Sequence, residues 1–299
     1  MTSIQFAPAM DFHWKVAVGG YEWVDSEKGR VLRAVDARQP GWNYSSDRYL
    51  REYRPLNERS GLFWEFAELD TTEEAIKKFA DNSGLLGASP DLELGAQLGP
   101  IAVPPEPFAV WKREIEGLRD AMILWRVTTS GSKKLLRQLK TRLSPRDAPL
   151  AAQRYLHVDK KDPAMFLLGL IQRATDLRLR KQVLTRVLFA GNNPRLNLVL
   201  QPQSLLGALW LQFAAAVDAQ KSFSRCPRCG VMFEVSRDTS GKRRSARFCS
   251  VRCRVANYRG RIDRARQLKG EGTPVREIAR ALNARIPTVR NWLENKDRV

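Results

Sequence analysis

The four cysteines of this 299-residue chain form two close pairs that could bind one metal ion. The first pair is Cys226-Pro-Arg-Cys229, and the second, Cys249-Ser-Val-Arg-Cys253, begins after nineteen intervening residues. Each thiolate pair can supply one edge of the tetrahedron that zinc prefers, and four protein thiolates leave no position for water. We therefore predict one structural Zn2+ ion bound by Cys226, Cys229, Cys249 and Cys253. The alternatives are four unligated thiols or an iron–sulfur cluster.

The segments around these cysteines predict a treble-clef zinc finger. Gly230 permits a sharp turn after the first pair, and residues 231–235 have the pattern of the first arm of a hairpin. We expect the second pair at the N-terminus of a basic helix, where the helix dipole and free N–H groups favour thiolates. Cysteines confined to one such segment are typical of a metal binder in a reducing compartment, which predicts a cytoplasmic protein.

Positive charge is concentrated in the same part of the chain. The formal net charge is +19, and the residues from Lys221 onward contain 21 Lys and Arg against 7 Asp and Glu. Arginine is suited to forked contacts with phosphate oxygens, so this excess predicts a polyanion partner rather than a merely solvated surface. The candidate contacts of the finger and of the helix after it are Lys242, Arg243, Arg244, Arg247, Arg252, Arg259 and Arg266.

Residues 272–293 resemble the helix-turn-helix units of resolvases, transposases and related bacterial regulators. Ile278 and Val289 are among the inward positions of the two helices, and Asn283 occupies a turn position that favours the left-handed conformation. The resemblance implies that the second helix enters the major groove of DNA, where arginine can pair with guanine and asparagine with adenine. The candidate contacts are Thr288, Arg290 and Asn291. The alternative is an amphipathic helical hairpin that only packs on the finger.

The finger also resembles a known bacterial zinc-finger family. The matching residues are Cys226-Pro-Arg-Cys229, Phe233, Arg243-Arg244, Phe248-Cys249-Ser250 and Cys253-Arg254. They are similar to the CGNR-type finger, which follows a helical ABATE domain in stress-induced transcription regulators. Gly84-Leu85-Leu86-Gly87 is also similar to part of that domain, although Cys253-Arg254-Val255-Ala256 replaces the Cys-Gly-Asn-Arg signature. The segment around the second pair equally resembles FCS-type fingers.

The first 220 residues contain patterns of both strands and helices. We predict a strand over 12–18, a helix capped by Thr71, and a linker over 89–107. Further helices are expected at 108–125, 132–143, 163–188 and 204–219, with a short strand at 196–200. The fold class is mainly α with an α+β N-terminal part, followed by a small treble-clef finger and a helix-turn-helix. The predicted domains are 1–100 (α+β), 106–220 (helical, ABATE-like together with part of the N-terminal region), 221–258 (zinc finger) and 259–299 (helix-turn-helix).

The sequence favours a DNA-binding transcription regulator over an enzyme. It contains no phosphate-binding glycine loop and no nucleophile motif, and its two histidines are more typical of structural positions. The longest apolar stretch, residues 205–217, is too short to span a membrane. We expect DNA as the partner and consider a homodimer, with no effector identified. The alternatives are an RNA-binding or interaction module related to toxins or translation, and an enzyme with an unrecognised site before residue 221.

Overall fold

The computed structural model describes residues 12–27, 29–38, 49–88, 105–130, 163–190, 193–235 and 245–294. The chain divides into two compact units, Met1–Lys221 and Ser222–Val299. The described elements are helices together with small antiparallel sheets, a mixed α/β composition. In this part of the chain, no helix combines the length and the apolar character that crossing a membrane requires.

The first unit contains seven strands and six α-helices among the residues described. The strands are β1 (Trp14–Ala17), β2 (Tyr21–Ser26), β3 (Gly29–Ala34), β4 (Leu50–Tyr53), β5 (Glu106–Pro107), β6 (Val183–Ala190) and β7 (Asn193–Pro202). The helices are α1 (Pro55–Glu58), α2 (Leu62–Ala67), α3 (Glu73–Ser83), α4 (Phe108–Ser130), α5 (Pro163–Gln182) and α6 (Leu205–Asp218). β1 pairs with β4, β3 lies between β2 and β5, and β6 pairs with β7. The hairpin of β2 and β3 was not predicted from the sequence.

Aromatic side chains from three helices form the centre of this unit. Trp111, Ile115 and Leu118 of α4 are completely buried and form the core face of this helix. Ring centroids lie 6.0 Å apart between Phe63 of α2 and Phe213 of α6. Such aromatic pairs contribute stability beyond their buried area. The helices on either side of the predicted linker therefore share one core.

The helix predicted over 163–188 ends earlier than expected. α5 stops at Gln182, and the residues after it form β6, whose register with β7 includes Val183↔Pro202 and Val187↔Leu198. Apolar residues spaced for a helix are also compatible with a strand, and the β-branched side chains of Val183, Thr185 and Val187 favour the extended form. The strand predicted at 196–200 is confirmed and is longer than expected. The helix predicted over 132–143 lies outside the described residues.

The capping prediction for α3 was wrong by one residue. The side chain of Thr72, rather than that of Thr71, accepts a hydrogen bond from the backbone N–H of Ala75 at 3.3 Å. Thr72 has the extended backbone that an N-cap requires, so the helix begins at Glu73. The helix ends at Gly84, which has a φ of 90° that a side chain would strain.

A buried carboxylate holds the loop that follows α3. Glu106 of β5 is 2% exposed, and its carboxylate accepts hydrogen bonds from the backbone N–H groups of Leu86 at 2.9 Å and Ala88 at 3.1 Å. The indole of Trp14 donates to the carbonyl of Leu85 at 3.0 Å. At Gly87 in the same loop, a side chain would approach Ser204 and Trp14 to 2.9 Å. The two glycines and Glu106 together therefore fix the loop against β1 and the start of α6.

We expect Glu106→Gln to remove a pH dependence from the stability of this unit. Burial raises the pKa of Glu106 to about 7 from 4.5, although backbone hydrogen bonds oppose the shift. The folded state therefore binds the proton more tightly than the unfolded state, and stability falls as the pH rises. The unfolding free energy should decrease by about 3 kcal/mol as the pH rises from about 4.5 to above about 7.

The measurement is urea unfolding at several pH values, followed by tryptophan fluorescence. Seven of the eight tryptophans precede residue 222, so the signal reports mainly on the first unit. Glu116→Gln, on the exposed side of α4, is the matched control and should keep the wild-type slope. An unchanged slope in Glu106→Gln would show that burial of this carboxyl does not control the pH dependence.

Candidate metal centre and neighbouring basic surface

The first cysteine pair lies at the turn of a short hairpin. β8 (Phe223–Arg225) and β9 (Met232–Glu234) are antiparallel, with Arg225 opposite Met232. The backbone N–H of Gly230 donates to the carbonyl of Cys226 at 2.9 Å, and the N–H of Cys226 donates to the carbonyl of Val231 at 2.9 Å. Gly230 has a φ of 76°, which glycine adopts without strain. The strand predicted after the first pair is confirmed, but it is the second arm of the hairpin rather than the first, because β8 precedes the cysteines and pairs with it.

The second cysteine pair lies at the start of the long helix α7 (Val251–Gly270), as the sequence predicts. Ser250 is the N-cap, and its hydroxyl accepts a hydrogen bond from the backbone N–H of Cys253 at 3.1 Å. This bond fixes Cys253 in the first helical turn, while Cys249 precedes the cap. The second pair therefore lies at the N-terminal end of α7, where the sequence predicts it.

The four sulfur atoms lie within 4.8 Å of one another. The Cys249 sulfur is 3.5 Å from the sulfurs of both Cys229 and Cys253, and none of the four is in a disulfide. A tetrahedral zinc ion with Zn–S bonds of about 2.3 Å requires sulfurs about 3.8 Å apart. The arrangement is therefore close to the size of a four-thiolate site, and these residues could hold one metal ion. Such a donor set would be complete without water.

The pKa values of two of these thiols are shifted in opposite directions. Burial disfavours the Cys226 thiolate, but hydrogen bonds from the backbone of Cys249, Cys229 and Arg228 outweigh burial and lower the pKa of Cys226 to about 6. Burial, together with the neighbouring thiols, raises the pKa of Cys249. Several thiolates within this distance repel one another unless a cation lies between them. A divalent metal ion would remove that repulsion.

Few apolar side chains support the fold around these cysteines. Phe233, Val235 and Cys226 are buried together, and Ala246 and Phe248 pack against them. A cluster of this size is small for a stable core, and natural modules of this kind commonly depend on a bound metal. Metal binding is therefore expected to supply much of the folding free energy of the hairpin.

The far half of α7 packs against two shorter helices. These are α8 (Val275–Ala281) and α9 (Ile286–Glu294), and the turn between them includes Asn283 with a φ of 46°. The left-handed conformation predicted for Asn283 is thus confirmed. The buried residues shared by the three helices are Ile262, Ala265, Ile278, Ala279, Val289 and Trp292. The boundary predicted between residues 258 and 259 falls inside α7, which is one continuous helix from the cysteines to this cluster.

Trp292 was not singled out in the sequence, although it connects α9 to α7. Its indole N–H donates to the hydroxyl of Tyr258 at 2.9 Å, with the two rings edge to face at 5.8 Å. The guanidinium of Arg261 lies 5.1 Å from the centre of the Trp292 ring and donates to the carbonyl of Leu282 at 2.8 Å. The spacing of Trp292 from Val289 was the available signal, since three residues place both on one helical face.

The predicted nucleic-acid contacts have different surroundings. Six of them have exposed side chains: Arg247, Arg252, Arg259, Thr288, Arg290 and Asn291. Arg266 is half-buried. Lys242, Arg243 and Arg244 lie outside the described residues. Arg290 and Asn291 are on the side of α9 away from the buried Val289 and Trp292. Thr288 is exposed at the edge of that side, four residues before Trp292. We define Thr288, Arg290 and Asn291 as the polar face of α9.

Among the described residues, this geometry defines one cluster of four cysteines that could hold a metal ion, beside the start of a long basic helix. Comparison of the chain with models of protein families, with curated proteins and with solved structures gives no match. The cysteine cluster is consistent with a zinc-finger-like site, and the comparisons do not confirm the resemblance to CGNR-type fingers or ABATE domains.

Proposed function

We propose that this protein is a zinc-containing DNA-binding protein that regulates transcription in the cytoplasm of a bacterium. The ion proposed for the four thiolates is Zn2+, because a site of four protein thiolates with tetrahedral spacing suits zinc and leaves it structural. Four free thiols in one cluster also suit a reducing compartment. The proposal assigns no reaction to the chain.

The polar face of α9 is the observation that carries this proposal. α9 is fixed from behind, because Val289 and Trp292 are buried in the cluster formed with α7 and α8. Its outward side chains, Thr288, Arg290 and Asn291, are exposed and have groups that can bond to base edges in the major groove. A short helix held on two others and exposing such groups is the arrangement by which helix-turn-helix proteins read DNA.

The basic residues of α7 support the same proposal. Arg252, Arg254, Arg259 and Arg264 have exposed side chains, and Asp263 is the only acidic residue of this helix. Contacts of arginine with phosphates position a protein on DNA without reading its sequence. We assign phosphate contacts to one or more of these arginines and base contacts to α9. A role as a homodimer would place two such units on one duplex, with a half-site spacing set by the dimer.

In the test, the purified full chain first selects its preferred sequence from a pool of random duplexes. The double variant Arg290→Ala with Asn291→Ala is then compared with the wild-type chain on the selected duplex and on random duplex. Each lost bidentate base contact should cost about 1–3 kcal/mol of discrimination, so the preference for the selected site should fall about tenfold or more. Affinity for random duplex should change far less. Binding is measured by fluorescence anisotropy at a fixed salt concentration.

Arg280→Ala is the matched control, since this arginine is exposed at the end of α8. It should lower affinity for selected and random duplexes equally. Retention of full sequence preference by the double variant would contradict the assignment of base contacts to α9. A chain that prefers single-stranded RNA over any duplex would instead support the RNA-binding alternative.

A further inference from the structure

The arginines of α7 lie on opposite sides of the helix. Residues two apart in an α-helix differ by about 200° around its axis. Arg252 and Arg254 therefore point to opposite sides, and so do Arg259 and Arg261. We call the side with Arg252, Arg259 and Arg266 the Arg252 face. The side with Arg254, Tyr258 and Arg261, spaced by four and three residues, is the Arg254 face.

Only the Arg254 face points towards α9. Tyr258 accepts the hydrogen bond from the Trp292 indole, and Arg261 covers the ring of Trp292. Arg261 is engaged further, because it also donates to the carbonyls of Leu282 at 2.8 Å and Asn283 at 3.3 Å. It is thus occupied in positioning α9. Arg254 lies one turn before Tyr258, beyond these contacts, and its side chain is exposed.

The Arg252 face differs in charge as well as in direction. Asp263 follows Arg259 by four residues and precedes Arg266 by three, so the only acidic residue of α7 is on this face. Arg266 is itself half-buried. By contrast, the Arg254 face has no acidic residue along the positions Arg254, Tyr258, Arg261 and Ala265. The side of α7 that faces α9 is therefore the Arg254 face, and over these residues it carries positive charge only.

We propose that Arg254 contacts the backbone of the DNA segment that α9 reads, and that Arg252 and Arg259 do not contact that segment. This inference rests on the proposed function, and it separates residues that the sequence places in one basic helix. Arg254 then fixes the register of α9 by holding a phosphate next to the bases that Arg290 and Asn291 contact. The Arg252 face is left to counterions or to a second segment of nucleic acid.

The experiment compares single variants of the full chain on a duplex of about 20 base pairs that contains the selected site, which is about two helical turns. Arg254→Ala should weaken binding about tenfold and reduce the salt slope by about 1, as expected for one lost phosphate contact. Arg252→Ala and Arg259→Ala remove the same charge from exposed positions of the same helix, and should change affinity less than about twofold. Arg254→Lys should restore the slope, because it restores the charge.

Alanine favours helix, so these variants should fold, and one metal ion per chain in each variant verifies it. Equal losses from Arg254→Ala and Arg252→Ala, with normal wild-type binding, would overturn this inference and leave the proposed function intact. No loss from Arg254→Ala would do the same. A wild-type chain that binds no duplex would overturn both proposals together.

Discussion

Cys226→Ser is expected to abolish metal binding and to unfold the hairpin of β8 and β9. Cys226 is 1% exposed and belongs to both the sulfur cluster and the small apolar cluster of Phe233 and Val235. A serine hydroxyl is a poor substitute for a thiolate, so Cys226→Ser leaves three sulfurs. Structural zinc sites contribute on the order of 10 kcal/mol to folding, and these few apolar side chains cannot replace that amount.

Two measurements check this prediction on the full chain. The metal content should fall from one ion per chain to nearly none, and amide hydrogen exchange should become fast in residues 223–235. The first unit should keep its tryptophan fluorescence, because seven of the eight tryptophans precede residue 222. A chelator added to the wild-type chain should produce the same exchange pattern.

Ser224→Ala is the control, because it changes a half-exposed residue of β8 and leaves all four sulfurs in place. It should retain one metal ion, and the amide hydrogens of residues 223–235 should still exchange slowly. Cobalt supplies an additional readout, since the visible spectrum of tetrahedral Co2+ distinguishes four thiolates from three. Slow exchange throughout residues 223–235 in metal-free Cys226→Ser would mean that the apolar cluster is sufficient, and that the metal is not part of the fold.

The metal site could be predicted from the sequence because its information is local. Cysteine spacing, Gly230 and Ser250 each act over a few residues, through a turn, a cap or a pair of ligands. The same holds for the left-handed turn at Asn283. The basic face of α7 was only partly predictable, since spacing shows which arginines share a side. Spacing cannot show that the guanidinium of Arg261 packs on the ring of Trp292.

The first unit was less predictable because its elements depend on distant partners. Val183–Ala190 is a strand only because residues 193–202 pair with it, so its helical spacing was misleading. Glu106 lies within the predicted linker, yet it is buried and bonds to a loop about twenty residues earlier. No local pattern marks such a carboxylate as a core residue. Long-range pairing of this kind has to be seen in the folded chain.

We expect the affinity for random duplex DNA to fall steeply with salt. If α7 and its neighbours neutralise about six phosphates, log K should decrease with log[salt] with a slope near −5. Raising the salt from about 50 to 200 mM should then weaken binding about a thousandfold. The contacts are expected in the second unit, because the residues from Lys221 onward hold 21 basic and 7 acidic residues.

The salt slopes of variants distinguish phosphate contacts in the second unit from a general effect of the net charge of the chain. The chain before Lys221 contains 30 basic and 25 acidic residues, by difference from the totals of 51 and 32, and should contribute little. Removing a cation that contacts a phosphate, as in Arg254→Ala, should reduce the slope by about 1. Arg33→Ala, which removes an ion-pair partner of Glu22 in the first unit, should leave the slope unchanged. A slope near zero for the wild-type chain would exclude phosphate contacts, because releasing condensed counterions is the unavoidable consequence of neutralising them.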